Sequence, residues 1–561
     1  MITATPIGTT RGPGETAHEY TFITPDREDQ ARNGEFVFYE AGIDGEDRRV
    51  LGRITQRQPA RLLPDGFLAE PSVAPADIAA LVGYSGQDHD LFEITVSVLG
   101  YYNTALSDFI NPHLPPQPGT PIYIANDEML GAVLSRRRLG QTAGAHIGSL
   151  LSRPDNAVPV VVDLRAITST HLAVIASTGS GKSYLAGVLV EEMMRPSNRA
   201  AILIIDPHGE YHTLTELQGK QEFSAGGYSP RVEVIRPDTV KVRISSLSLG
   251  DIRALLPDLS ERMHYFLAKG YRLVQDRFGP NWTLAQLIAA IEDSERQVSG
   301  KAAEEGGDEG EGTGGYGTAG ALAWRLNSRL QGSRIFDDMA SLPLQRLFRP
   351  GQCTVLQLNE IDEREQQVVV ATLLRRLFKA RMATQKGQTD RTKEDYLPYP
   401  AFALIEEAHR FAPASADLVS SQVLKTILAE GRKFGVAVGL ITQRPGKLDP
   451  DVLSQCMTQF FLHVTNPSDR DRIAESVESI GRDILGELPA LSKGQVIIAG
   501  AAVNTPVLCR VRQRLTTHGA EDVDAPAQWL RWFEEGREEE DRADIALPQE
   551  PETRGRSKLF K

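Results

Sequence analysis

Cysteine is scarce in this chain. Only Cys353, Cys456 and Cys509 occur in 561 residues, far apart. That excludes a disulfide framework and a CxxC zinc site. The three read as small buried hydrophobes in a reducing compartment. Long apolar runs are missing too, and nothing approaches the roughly 18–20 residues that a membrane span requires. The opening Met1-Ile-Thr-Ala-Thr-Pro-Ile-Gly8 lacks the basic-then-apolar order of a signal peptide, so a cytoplasmic protein is expected. Positive charge is in deficit, with 61 Lys and Arg against 74 Asp and Glu, a net charge of −13. A surface that attracts nucleic acid everywhere is thereby excluded, but a local basic lining is not. What remains is an ordinary globular composition, 41% hydrophobic and 24% charged, in a chain too long for one simple core.

One stretch organises the rest. Ala176-Ser-Thr-Gly-Ser-Gly-Lys-Ser183 follows the apolar run His171-Leu-Ala-Val-Ile175 and opens a helical pattern over Tyr184–Met194. Strand, Gly-rich loop and helix in that order make a phosphate cradle. Gly179 and Gly181 allow positive φ, so successive N–H groups can turn inward towards phosphate oxygens. The helix start adds its own free N–H groups and positive end. Thr178 to Tyr184 are therefore candidate nucleotide-binding residues: Thr178, Gly179, Ser180, Gly181, Lys182, Ser183 and Tyr184. Lys182 is expected on the β- and γ-phosphates of a nucleoside triphosphate, and the Ser183 hydroxyl on Mg²⁺. Ala176 stands where such loops commonly begin with Gly.

Up to about residue 145 the chain reads as β-rich, through Glu35–Tyr39, Arg49–Thr55, Phe92–Leu99 and Thr120–Ile124. Short strands punctuated by Gly, Pro and Asp predict a small barrel. Residues 146–250 and 350–515 alternate strand and helix, predicting an α/β core of the RecA-like P-loop type. Apolar strands at Pro159–Asp163, Ala200–Asp206, Pro400–Ile405 and Val436–Ile441 expect cover on both faces. Residues 251–349 read as a helical insertion, in which the Gly- and Glu-rich segment 299–320 is expected to be disordered. Gly494–Ala499 and Pro506–Val511 predict a terminal hairpin. The end of the chain, 516–561, becomes densely charged from Glu534.

A phosphate loop alone does not separate kinase, switch and motor. Glu406–Glu407 closes an apolar strand, where one carboxylate can hold a metal-bound water and its neighbour can orient the attacking water. Glu407 is assigned to the water and Glu406 to the metal, with Asp206 an auxiliary near Mg²⁺. Gln443 ends the next strand, where a neutral amide can report on the γ-phosphate. Arg432, in Glu430-Gly-Arg-Lys-Phe-Gly435, has two readings: a finger completing a neighbour's site, or a stabilising cation at a helix C-terminus. His208, Glu210 and His212 match no strong zinc spacing and read as structural.

Taken together, His171–Ser183, Ile205-Asp-Pro-His-Gly-Glu-Tyr211, Ile405-Glu-Glu-Ala-His409, Glu430–Gly435, Thr442-Gln-Arg-Pro445 and Thr465-Asn-Pro467 resemble the HerA family of hexameric DNA-translocating ATPases, within the FtsK–HerA group. The resemblance implies a barrel shared with rotary ATP synthase subunits, a helical insertion and a C-terminal brace reaching a neighbouring subunit. It assigns phosphate, metal, water, sensor and trans-finger roles to Lys182, Ser183, Glu407, Gln443 and Arg432. The expected partners are five further copies of the chain, double-stranded DNA in a central pore, and a NurA-like nuclease or Sir2-like effector docked on the barrel. Repair of DNA ends and anti-phage defence are both compatible. A rival reading is an ATP-dependent ring scaffold that activates an effector with little translocation. A conjugative coupling ATPase is disfavoured, because such proteins carry membrane helices.

Overall fold

The computed structural model describes residues 5–13, 18–25, 30–43, 45–60, 91–106, 108–304, 317–477, 481–519 and 524–546. They fall into two compact units that divide after His518. The first strands are β1 (Gly8–Pro13), β2 (Glu19–Thr24), β3 (Phe36–Ile43), β4 (Glu46–Pro59), β5 (Phe92–Asn103), β6 (Asp108–Ile110) and β7 (Pro121–Ile124). Six of them run in the order β2-β1-β7-β3-β4-β5, and antiparallel pairing of β2 with β5 closes the ring. Closure leaves no open edge. The long β4 bends around it through irregularities at Leu51/Gly52 and Ile54/Gln56. Period-two alternation on β3 sends Val37 and Tyr39 into the barrel core and Phe36 and Phe38 into the core shared with the next domain. Buried Glu35 fastens the junction, pairing with Arg153 at 2.9 Å.

The strands that follow are β8 (Gly144–Leu150), β9 (Pro159–Asp163), β10 (Leu172–Ile175), β11 (Ala201–Asp206), β12 (Arg231–Ile235), β13 (Val242–Arg243), β14 (Phe336–Asp337), β15 (Gln352–Gln357), β16 (Ala401–Ile405), β17 (Val436–Thr442), β18 (Thr458–Phe461), β19 (Gln495–Gly500) and β20 (Val507–Val511). Eleven form one sheet, ordered β12-β15-β11-β16-β17-β10-β18-β19-β20-β8-β9, parallel from β12 to β18 and antiparallel beyond. The apolar strands have both faces covered: Leu203 and Ile205 of β11 belong to one hydrophobic core, Ile202 and Ile204 to the other. β10 lies between β17 and β18 rather than beside β11. The parallel strands therefore bring the phosphate loop, the end of β16 and the end of β17 to the same edge. Ligands bind at that edge in open α/β sheets.

Helices Glu261–Phe278, Leu284–Glu304 and Thr318–Leu326 pack their apolar stripes against one another and join the hydrophobic core on one side of this sheet, through Phe266, Leu267, Leu287, Ile291 and Leu322. The segment expected to be disordered is helical at both ends, to Glu304 and from Thr318, because Lys, Ala and Glu extend a helix readily. Its middle, 305–316, lies outside the described residues. Where the helical insertion begins, Leu249–Leu255 and Glu261–Phe278 are separate helices, divided around Pro257. In the second unit a helix spans Ala525–Ala546, with Trp529, Leu530, Trp532 and Phe533 exposed on its first half. No described helix is long and apolar enough to cross a membrane.

Candidate nucleotide-hydrolysis site

The loop after β10 has the conformation its glycines permit: φ is +76° at Gly179 and +97° at Gly181. The Ser180 hydroxyl donates to the Ser177 carbonyl at 2.6 Å and closes the turn. Gly181 caps the helix Lys182–Met193 without any side chain on the first N–H groups. Those donors suit an anion, with the helix dipole behind them.

Across the cleft, Lys182 Nζ lies 3.0 Å from Glu406 Oε1 and 3.4 Å from Glu407 Oε1. Consecutive residues of a strand point to opposite faces, so two carboxylates on one ammonium require a break in β geometry. Glu407 provides it, with φ +51° and ψ +47°. A non-Gly residue held there stores about 1–2 kcal/mol of strain, which the surrounding packing must offset. Both carboxylates are buried. Burial raises the Glu406 carboxyl to about 7, against the opposing pull of Lys182 and Tyr211. For Lys182, burial alone would lower the pKa, but Glu406 and Glu407 outweigh it and hold the ammonium charged. Apart from its neighbouring cations, Glu406 Oε1 and both Glu407 oxygens have no hydrogen-bond donor. Glu406 Oε1 and the Ser183 hydroxyl are oxygen donors of the kind that suits a hard divalent cation such as Mg²⁺.

Around this pair the remaining elements converge. The Thr178 hydroxyl donates to Gln443 Oε1 at 2.7 Å, joining the phosphate loop to the end of β17. His409 Nδ1 sits 3.2 Å from Glu407 Oε2 and 3.1 Å from Thr442 Oγ1. Burial keeps its pKa below the usual value, against the pull of Glu407. Asp206 is used differently from a metal ligand. Its buried carboxylate accepts the backbone N–H groups of His208, Gly209, Glu210 and Tyr211 and thereby shapes the loop after β11. Tyr184 turns away from the phosphate loop: its hydroxyl accepts from Arg514 N–H at 2.6 Å. Arg432 is exposed near the C-terminus of the helix Val419–Phe434, just before β17 begins. It is not part of its own chain's cluster.

Sequence reasoning passed over Glu210 as structural. It accepts a hydrogen bond from the Ser183 hydroxyl at 2.6 Å. Its signal was its place four residues after a strand-end aspartate, which means little until that strand is known to lie near the phosphate loop. The residues after β20 were passed over too. Arg512 pairs with buried Glu191 and Glu192, at 2.9 Å each, on the helix that the phosphate loop opens.

A phosphate-binding loop at a topological switch point, a lysine on two strand-end carboxylates and a polar strand end beside them define a P-loop ATPase. Residues 145–377 match the family described as "Helicase HerA, central domain". Over that stretch, less than half of its length, the chain is similar to the HerA helicases. It is 25% identical to the DNA double-strand break repair helicase HerA of Pyrococcus furiosus, over 93% of this chain and 96% of that protein. The HerA helicase of Sulfolobus acidocaldarius is 27% identical over 76% of this chain and 80% of its own length. Among solved structures, VirB4 of Thermoanaerobacter pseudethanolicus superposes with a TM-score of 0.44 at 14% identity, over 67% of this chain and 97% of that one.

Proposed function

We propose that the chain assembles as a ring, a hexamer, that moves double-stranded DNA through its centre by hydrolysing ATP, in the service of a nuclease or other effector docked on the barrel. The relatives' description as DNA double-strand break repair helicases supports repair of DNA ends as the setting. The phosphate loop's N–H groups and Lys182 bind and orient the triphosphate. Glu407 holds the attacking water and takes its proton. Gln443, tied to Thr178, answers to the γ-phosphate. Ser183 and Glu406 would hold Mg²⁺, which supplies charge neutralisation on the phosphate oxygens.

The observation that carries the assembly is the position of Arg432. It precedes the start of β17, whereas Gln443 follows its end; seven strand residues, about 20 Å, separate the two. An arginine there cannot reach its own γ-phosphate but is free to complete a neighbour's. Such a finger is worth about 10³–10⁵ in rate. The test is steady-state hydrolysis with and without linear duplex DNA. Strong stimulation is expected of a motor that engages DNA itself. Hydrolysis indifferent to DNA would overturn translocation in favour of a ring scaffold for an effector.

A further inference from the structure

The loop after β11 delivers two adjacent side chains to the two groups expected to hold the metal. Glu210 Oε2 takes the Ser183 hydroxyl proton at 2.6 Å. The Tyr211 hydroxyl donates to Glu406 Oε2 at 2.5 Å. We propose that Glu210 and Tyr211 are positioning residues, which orient the Ser183 hydroxyl and the Glu406 carboxylate for the nucleotide-bound divalent cation.

A serine hydroxyl has one proton and two lone pairs. With the proton committed to Glu210, the lone pairs face the other way, and the carboxylate makes the oxygen a stronger donor to a cation. Glu406 is divided in the same manner. Tyr211 occupies Oε2, which leaves Oε1, the oxygen 3.0 Å from Lys182, for the cleft. Four features keep the loop from rotating these groups away. Asp206 accepts four successive backbone N–H groups within it. Gly209 turns it through φ +81°. The Tyr211 ring is fully buried. The His212 ring meets the Gly209 carbonyl at 3.0 Å. Neighbours that orient metal ligands in this way are worth roughly ten- to a hundredfold in metal affinity.

The inference rests on the reading of Ser183 and Glu406 as metal-holding groups, and its test is kept apart from DNA. Binding of a fluorescent ATP analogue to the full chain is followed as Mg²⁺ is titrated, for wild type, Glu210→Gln and Tyr211→Phe. Mn²⁺ binding to the same nucleotide complexes is read by electron paramagnetic resonance. Expected is a rise of about tenfold or more in the cation concentration for half-maximal effect, with affinity for metal-free nucleotide and melting temperature unchanged. Glu210→Gln replaces a half-exposed side chain, so it reports even if the buried Tyr211→Phe folds poorly. Cation titrations that superimpose on wild type would overturn the proposal, as would an equal loss of metal-free nucleotide affinity. If wild type hydrolyses ATP indifferently to DNA while the variants still shift the cation titration, translocation fails and this inference stands.

Discussion

At the scale of single residues, the site depends on charges held where water would not keep them. Glu407 is the sharpest case, forced to positive φ so that its carboxylate shares an ammonium with Glu406. Glu407→Gln is expected to bind nucleotide as wild type does and to hydrolyse it about 10²–10⁴ times more slowly, since under the proposed mechanism it loses the proton acceptor alone. Single-turnover rates alongside nucleotide affinity check this. His171 makes a second residue-scale case. Its Nδ1 accepts from Val438 N–H at 3.2 Å while Nε2 meets the Leu428 carbonyl at 3.1 Å, so a second ring proton would confront an N–H. Burial lowers its pKa from 6.5 to about 4. Because the folded value is depressed, the unfolded chain takes up the proton first, and stability present above 6.5 is lost as pH falls towards 4. The loss is about 3 kcal/mol. Melting curves across that range should fall less steeply for His171→Gln.

At the scale of elements, the helix Lys182–Met193 is buried on nearly every side, which explains two acidic residues inside it. Glu191 is fully buried and accepts from Arg512, from the backbone N–H groups of Leu515 and Thr516, and from the Thr516 hydroxyl. The stretch after β20 thus grips the helix that carries the phosphate loop. Glu191→Ala would leave the Arg514 guanidinium without its buried counter-charge and Arg512 with Glu192 alone. A loss of about 3–5 kcal/mol is expected, read as a lower midpoint in urea unfolding. Elements were legible in the sequence where burial on both faces made a strand uniformly apolar, as at β11, β16 and β17. They were missed where partners decide. Gly8-Thr-Thr-Arg-Gly-Pro13 has the composition of a loop and becomes β1 only between β2 and β7.

At the scale of the whole molecule, Arg432 makes an arithmetic prediction. In the proposed ring, Arg432→Ala keeps its own phosphate loop but gives its neighbour no finger, and Lys182→Ala keeps the finger but lacks a working loop. Each should be inactive alone. Mixed in one ring they should regain a fraction of wild-type hydrolysis, because some Lys182→Ala subunits then present Arg432 to intact loops. Hydrolysis that stays at the background of the separate variants, in rings shown to be mixed, would remove Arg432 from the mechanism.

Composition, period and motif order by themselves determined the P-loop class and the barrel ahead of it, and singled out Lys182, Glu406, Glu407 and Gln443, which lie at one edge of the sheet. Each of these is a local matter: a glycine-dependent turn, an alternating or uniformly apolar run, a polar residue at a strand's end. The tertiary structure alone decided how distant segments meet. Parallel pairing of β11 beside β16, two strands from β10, brings Glu210 and Tyr211 to the site and turns Asp206 inward to shape their loop. It also sets Arg432 at the far edge. Those placements follow from strand order and register, which are properties of contacts between segments hundreds of residues apart.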